Sequence, residues 1–92
     1  LISFVKNQSR ILSKDRIRIN IISPGNILFE GSTWDKKNKI NKAKVKNYIK
    51  NNVPLNMFGS PKHISDSVLF LASDVSSFTT GSNIVIDGGQ TA

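Results

Sequence analysis

The sequence predicts an α/β protein built around a βαβ unit of parallel sheet. Two short runs rich in Ile and Val, IRINII at residues 17–22 and NIVID at 83–87, lie far apart in the chain. Strands of that composition are expected where helices cover both faces of a parallel sheet. The stretch between them is long enough for a crossover and contains a sharply punctuated helix at 60–73, which a parallel connection requires.

In chain order, residues 1–14 place Ile2, Val5 and Leu12 on one helical face, with Lys6, Arg10 and Lys14 outside it. IRINII then reads as a largely buried strand, stopped by Pro24-Gly25. Residues 30–52 are polar and lysine-rich, with one helix predicted over 36–50 whose inner side carries Val45, Tyr48 and Ile49. Ser60 is a good N-cap, Pro61 suits the first helical position, and Ile64, Val68, Leu69, Leu71 and Ala72 supply an apolar face. Thr80-Gly81 turns the chain into NIVID, which closes on Gly88-Gly89. Two strands are too few to stand alone, and Leu1 begins in mid-pattern without an initiator Met, so the expectation is part of a larger domain with more sheet on its N-terminal side.

The 92 residues contain no cysteine, which excludes disulfides and thiolate metal sites, and no apolar run nears the ~20 residues of a membrane span. A cytoplasmic protein is expected. The net charge of +7 raises a nucleic-acid reading, but lysines far outnumber arginines and Asn and Ile are also abundant. A solvated basic face is the expectation. The rival is a small binding module whose helix 36–50 contacts nucleic acid or an acidic protein.

In open parallel sheets, ligands bind outside the carboxyl ends of the strands, where Pro24-Gly25 falls. The ordered segments RIRINIISPGNI and VPLNMFGSPKHISDSVLFLASDVSSFTTGSNIVIDGG resemble the C-terminal part of a short-chain dehydrogenase/reductase (SDR), and the resemblance runs through nearly all of the chain. It implies the last two strands of a Rossmann-like, doubly wound parallel sheet. It further implies an NAD- or NADP-dependent oxidoreductase that moves hydride between the cofactor and a carbonyl or alcohol substrate. On this resemblance Pro24 and Gly25 shape the wall beside the nicotinamide, and the backbone N–H and C=O of Ile27 pair with its carboxamide. Residues 30–52 become the substrate-covering loop, with Phe29, Trp34 and Tyr48 as its aromatic residues. A layer packed on the sheet's helices is the alternative for that segment. A homodimer or homotetramer is implied for the full-length protein.

Two departures are visible. Many members carry Thr where Phe29 stands, and phenylalanine has no hydroxyl to offer a phosphate. The family's Tyr-x-x-x-Lys pair and Gly-rich loop are not in these residues. Tyr48 is followed by Lys50, a spacing that sends two helical side chains to nearly opposite faces, so no catalytic residue is assigned. The resemblance places the catalytic lysine shortly before Leu1, and this stretch alone should be inactive.

The remaining candidates carry little chemistry. Ser3 and Lys6 have Ser-x-x-Lys spacing but no partner motif. His63 is expected to be a solvated residue, poorly placed with Lys62 in a helix first turn. Asp87-Gly88-Gly89 reads as a strand terminator rather than an anion nest, and no metal site is expected from the scattered acids.

Overall fold

A computed structural model describes residues 1–92. Helix α1 spans Ile2–Leu12 and tightens into a 3₁₀ turn at Ser13–Asp15. Strand β1 is Ile21–Pro24, helices α2 and α3 are Thr33–Ile40 and Lys42–Asn52, helix α4 is Pro61–Ala72, and strand β2 is Asn83–Ile86. β1 and β2 pair in parallel, from Ile21 opposite Asn83 to Pro24 opposite Ile86, with α4 in the crossover. This is the α/β arrangement the sequence predicts.

The ladder corrects the first strand's boundaries. Residues 17–20 run alongside the chain before β2, yet side chains do part of the pairing there. The Ile19 N–H donates to Thr80 Oγ1 at 3.2 Å, and Asn20 Oδ1 accepts the Ser82 N–H at 3.0 Å. Regular pairing begins only at Ile21, whose N–H donates to Ser82 O at 2.8 Å. It also runs past Ile22 through Pro24. Ile21 and Gly25 donate toward β2, so Pro24 occupies an alternate position whose nitrogen faces away, and its missing N–H costs no ladder bond. β2 ends one residue sooner than predicted, at Ile86.

Arg18 anchors the crossover. Its guanidinium donates to Leu71 O at 2.8 Å, Ser73 O at 3.2 Å, Thr79 O at 3.2 Å and Ser76 Oγ at 3.0 Å. A cation on the final carbonyls of α4 satisfies groups that the helix leaves open and complements its dipole. The Ser76 hydroxyl is fully buried in that cluster and donates to Leu71 O at 2.9 Å.

Local caps set the other helix ends. The single helix expected over 36–50 is two helices. Ser32 Oγ accepts the Asp35 N–H at 3.1 Å and starts α2 early; Asn41 leaves helical geometry at φ −151° and accepts the Lys44 N–H at 3.1 Å, starting α3. α4 begins at Pro61 behind the Ser60 cap, as the sequence predicts.

The molecule measures 51 × 21 × 19 Å, and this narrow shape leaves few interior positions. The buried apolar side chains are Val5 of α1, Val45 and Ile49 of α3, and Val53. The apolar positions of α4 are not fully enclosed; Val68, Leu69 and Phe70 remain exposed.

Candidate functional site

The corner after β1 is held on both sides. The Gly25 N–H donates to Ile86 O at 2.8 Å, extending the ladder by one bond. Two residues later the chain makes a parallel bridge between Ile27 and Gly59: the Gly59 N–H donates to Asn26 O at 2.9 Å, and the Leu28 N–H donates to Gly59 O at 2.9 Å. In parallel pairing, successive residues direct their polar groups to opposite sides. The bridge therefore uses the groups flanking Ile27, while its own N–H and C=O point to the other side and have no hydrogen-bond partner in the chain. One donor and one acceptor, held rigidly side by side, are what a primary amide can pair with.

Pro24, Gly25 and Ile27 are thus held in one corner, and packing within the chain gives a reason for glycine at position 25 that the sequence alone does not show. A Cβ at Gly25 would lie 2.5 Å from Asp87 Cβ and 2.7 Å from Asp87 Cα. The bare face of Gly25 is turned toward the end of β2, so close packing of the chain on itself already demands glycine. Gly59 is similarly constrained, since its Cβ would meet Ile27 Cδ1 at 2.5 Å. The Ile27 side chain packs over Gly59, and the backbone bonds of the bridge hold the peptide groups on either side of it.

The three aromatic residues named for the covering segment do not form one group. Trp34 packs against Tyr48 with centroids 5.1 Å apart and planes tilted by 37°, and the third ring of the cluster is Phe58, edge-on to Trp34 at 5.4 Å. The Lys37 ammonium lies 4.9 Å from the Trp34 ring centre. Phe29 instead faces an apolar shelf shared with Pro24, Ile27, Pro61, Ile64 and Val68. Phe58, next to the bridging Gly59, carries no sequence signal of its own beyond being aromatic.

Asn26 is the larger omission. Its Oδ1 accepts the Trp34 Nε1–H at 3.2 Å, and its Nδ2 donates to Gln90 Oε1 at 2.6 Å. An indole N–H can only donate, which fixes which amide atom faces α2. An asparagine after Pro-Gly looks like ordinary turn chemistry, and only the tertiary fold gives it these partners.

The local electrostatics explain two further residues. The Asp87 carboxylate is held below its usual range chiefly by the Thr91 hydroxyl at 2.6 Å, aided by the backbone N–H groups of Gly89 and Thr91 at 2.9 and 3.0 Å. The N–H groups after β2 are thus turned onto the chain's own carboxylate, in keeping with a strand terminator. His63 is exposed, as expected, but it is not poorly placed: it caps its own helix, its Nδ1 accepting the Ser60 N–H at 2.9 Å. It takes the place of the Glu or Gln in a capping box. Lys62 is compensated by Asp66 at 2.8 Å. No three His, Cys, Asp or Glu residues cluster as a metal site would need. No helix is long and apolar enough to cross a membrane.

Known proteins share this arrangement. The family described as enoyl-(acyl carrier protein) reductase matches residues 1–91. A short-chain type dehydrogenase/reductase from Mycobacterium marinum is 34% identical, with a TM-score of 0.78 over 99% of this chain and 33% of its own. The chain belongs to the short-chain dehydrogenase/reductase family. Another SDR-like structure, 4-hydroxyisoleucine dehydrogenase complexed with NADH, is 40% identical with a TM-score of 0.84, covering 98% of this chain and 35% of its own. Isoepoxydon dehydrogenase of Penicillium expansum is 38% identical over 85 residues, 92% of this chain and 32% of the relative. The chain thus spans about a third of the length of the SDR proteins it matches. Its βαβ unit is part of a Rossmann-like α/β fold.

Proposed function

We propose that the chain serves as the C-terminal part of an NAD- or NADP-dependent oxidoreductase acting on a small carbonyl or alcohol substrate. The observation that carries this reading is the free N–H and C=O of Ile27 at the carboxyl end of β1. A nicotinamide carboxamide offers the complementary pair, an acceptor oxygen and a donor NH₂, so the residues present fit the cofactor. When bound, the cofactor gives or takes up hydride. This chain's residues would orient the ring: Pro24 sets the approach to the corner, Gly25 lets the corner close on β2, and Ile27 grips the amide through its backbone. Trp34 and Tyr48, with Phe29 on the neighbouring shelf, would border the substrate space. The groups that move the proton are not assigned to residues of this chain.

A homodimer or homotetramer belongs to the same proposal, supported by the exposed Val68, Leu69, Phe70, Val75 and Phe78 on and beside α4. So does a cytoplasmic setting, consistent with a cysteine-free sequence.

The carboxamide grip is tested by changing the ligand rather than the protein. The complete enzyme is titrated with NAD or NADP, whichever binds more tightly, and with its nicotinic acid form, in which a carboxylate replaces the carboxamide. Losing the donor and placing a negative charge against the Ile27 carbonyl should weaken binding at least about tenfold. Equal affinities would mean that the corner does not hold the amide.

A further inference from the structure

We infer that Asn26 is a positioning residue that latches the covering helices α2 and α3 to the cofactor corner, so that one side chain sets both the closed cover and the seat of the nicotinamide. This rests on the function proposed above. Asn26 lies between Gly25, pinned to β2 by its bond to Ile86 O at 2.8 Å, and Ile27, pinned to Gly59 by the bridge. Its backbone has little freedom, and the direction of its side chain is set by the same bonds that orient the free groups of Ile27.

The far side of the latch is equally constrained. Trp34, on the first turn of α2, packs against Tyr48 of α3 at 5.1 Å, so both helices are tied to the ring that donates to Asn26. No other hydrogen bond joins residues 30–52 to the body of the chain; the remaining ones that leave the segment reach only its immediate neighbours Phe29 and Val53. Where the cover begins, Gly31 has φ +80° and nothing within 4 Å of a Cβ placed on it, so the chain is unobstructed there. A segment joined to the body by a single side-chain hydrogen bond, which ends on a residue of the cofactor corner, couples the two. Displacing the cover strains or breaks the bond to Asn26, and shifting the corner draws on Trp34. Such coupling is reciprocal for binding.

The test uses the complete enzyme with NADH and NADPH, reading cofactor Kd from the reduced cofactor's own fluorescence, together with kcat and substrate KM. Asn26→Leu removes both polar atoms at similar size. Trp34→Phe keeps a ring against Tyr48 and Phe58 and removes the N–H. Each should raise cofactor Kd and substrate KM by roughly 5–10-fold, and the double variant should be no worse than the poorer single. Asn26→Asp keeps an acceptor for Trp34, and Gln90 can turn its amide to meet it, so this variant should recover most of the cofactor affinity. A merely structural role would lower the denaturation midpoint and leave the Kd of the folded enzyme unchanged. Normal Kd and KM in folded Trp34→Phe, or fully additive losses in the double variant, would overturn the latch while leaving the cofactor reading intact. A wild-type enzyme that binds neither cofactor would overturn both.

Discussion

The βαβ scaffold and the covering segment 30–52 are held by opposite means. The scaffold is joined by bonds between residues far apart in sequence: the β1–β2 ladder, Arg18 on the end of α4, Asn20 on the approach to β2, and Ser23 on Asn83 at 2.7 Å. The cover is organised locally, by Ser32 and Asn41 caps and by Asp35 paired with Lys39 at 3.2 Å, and it meets the scaffold through Trp34. Charge divides in the same way. Residues 33–52 carry seven lysines against Asp35 alone, hence six of the chain's seven net positive charges, while the rest of the chain is nearly balanced. A scaffold specified by long-range contacts tolerates little change; a cover specified by caps can vary in its surface without losing its helices.

The largest expected effect tests that contrast with two glycines. Gly25→Ala forces a Cβ to 2.5 Å from Asp87 Cβ, against neighbouring backbone that cannot step aside. It should cost about 3 kcal/mol, as overpacking against a rigid neighbour does. Gly31→Ala in the cover meets nothing and pays only for its φ of +80°, about 1 kcal/mol. Denaturant midpoints of the two variants check the order. Equal losses would mean that the corner yields as readily as the cover. The result also governs how any corner substitution is interpreted, because a bulky residue at Gly25 harms packing before it can touch a cofactor.

Arg18→Met comes next. It removes four hydrogen bonds, two to the last carbonyls of α4 at Leu71 and Ser73 and two to Ser76 Oγ and Thr79 O between α4 and β2. The loss should be about 2 kcal/mol rather than more, because Ser76 and Asn20 still donate to three of the same carbonyls. Arg18→Lys should recover only part, since a single ammonium cannot span the fork. A full recovery would show that charge on the helix end, not the bidentate geometry, matters.

These residues also show what was legible in the sequence. α4 announces itself through Ser60 and Pro61, and both strands through Ile and Val, because those signals act within a few residues. The split at Asn41 was readable in principle: an asparagine before a helical run is a capping signal, masked here by continuous lysines. The offset of the first strand was not readable, since Asn20 and Thr80 replace ladder bonds only when the two segments meet. For the site, the Pro24–Ile27 corner was marked by its turn residues, whereas Asn26 and Phe58 gain their roles from partners distant in space or sequence. His63 fell between the two cases, its place three residues after Ser60 being visible but its residue type unusual for a capping box.

A smaller effect separates the two regions by pH and salt. Asp87 of the scaffold is held low mainly by the neutral Thr91 hydroxyl, and Asp35 of the cover first by the Gly31 N–H and then by Lys39. For each, the folded value lies below the usual 3.8, so its contribution to stability is present above about pH 4 and is lost as pH falls through the folded value. Carboxyl chemical shifts followed by NMR between pH 7 and 2 should give both low midpoints. Raising salt should lift that of Asp35 and leave that of Asp87 nearly fixed, because only the former leans on a full charge. A salt-sensitive Asp87 would contradict its assignment to neutral donors.

The smallest expected effect concerns the lysines themselves. Lys36, Lys42 and Lys46 make no hydrogen bond or ion pair through their side chains, so changing all three to Gln should shift stability by no more than about 0.5 kcal/mol. The same triple variant removes three of the six net positive charges of residues 33–52. If that charge is only a solvated face, any binding of the wild-type chain to duplex DNA should be weak, indifferent to sequence, and should fall steeply with salt. The triple variant should then bind less in proportion to the charge removed, with a shallower salt slope. Sequence-selective binding that persists at about 0.2 M salt and vanishes in the variant would give the cover a specific nucleic-acid partner. It would also end the contrast between the two regions, since the cover's surface would then be as constrained as the scaffold's contacts.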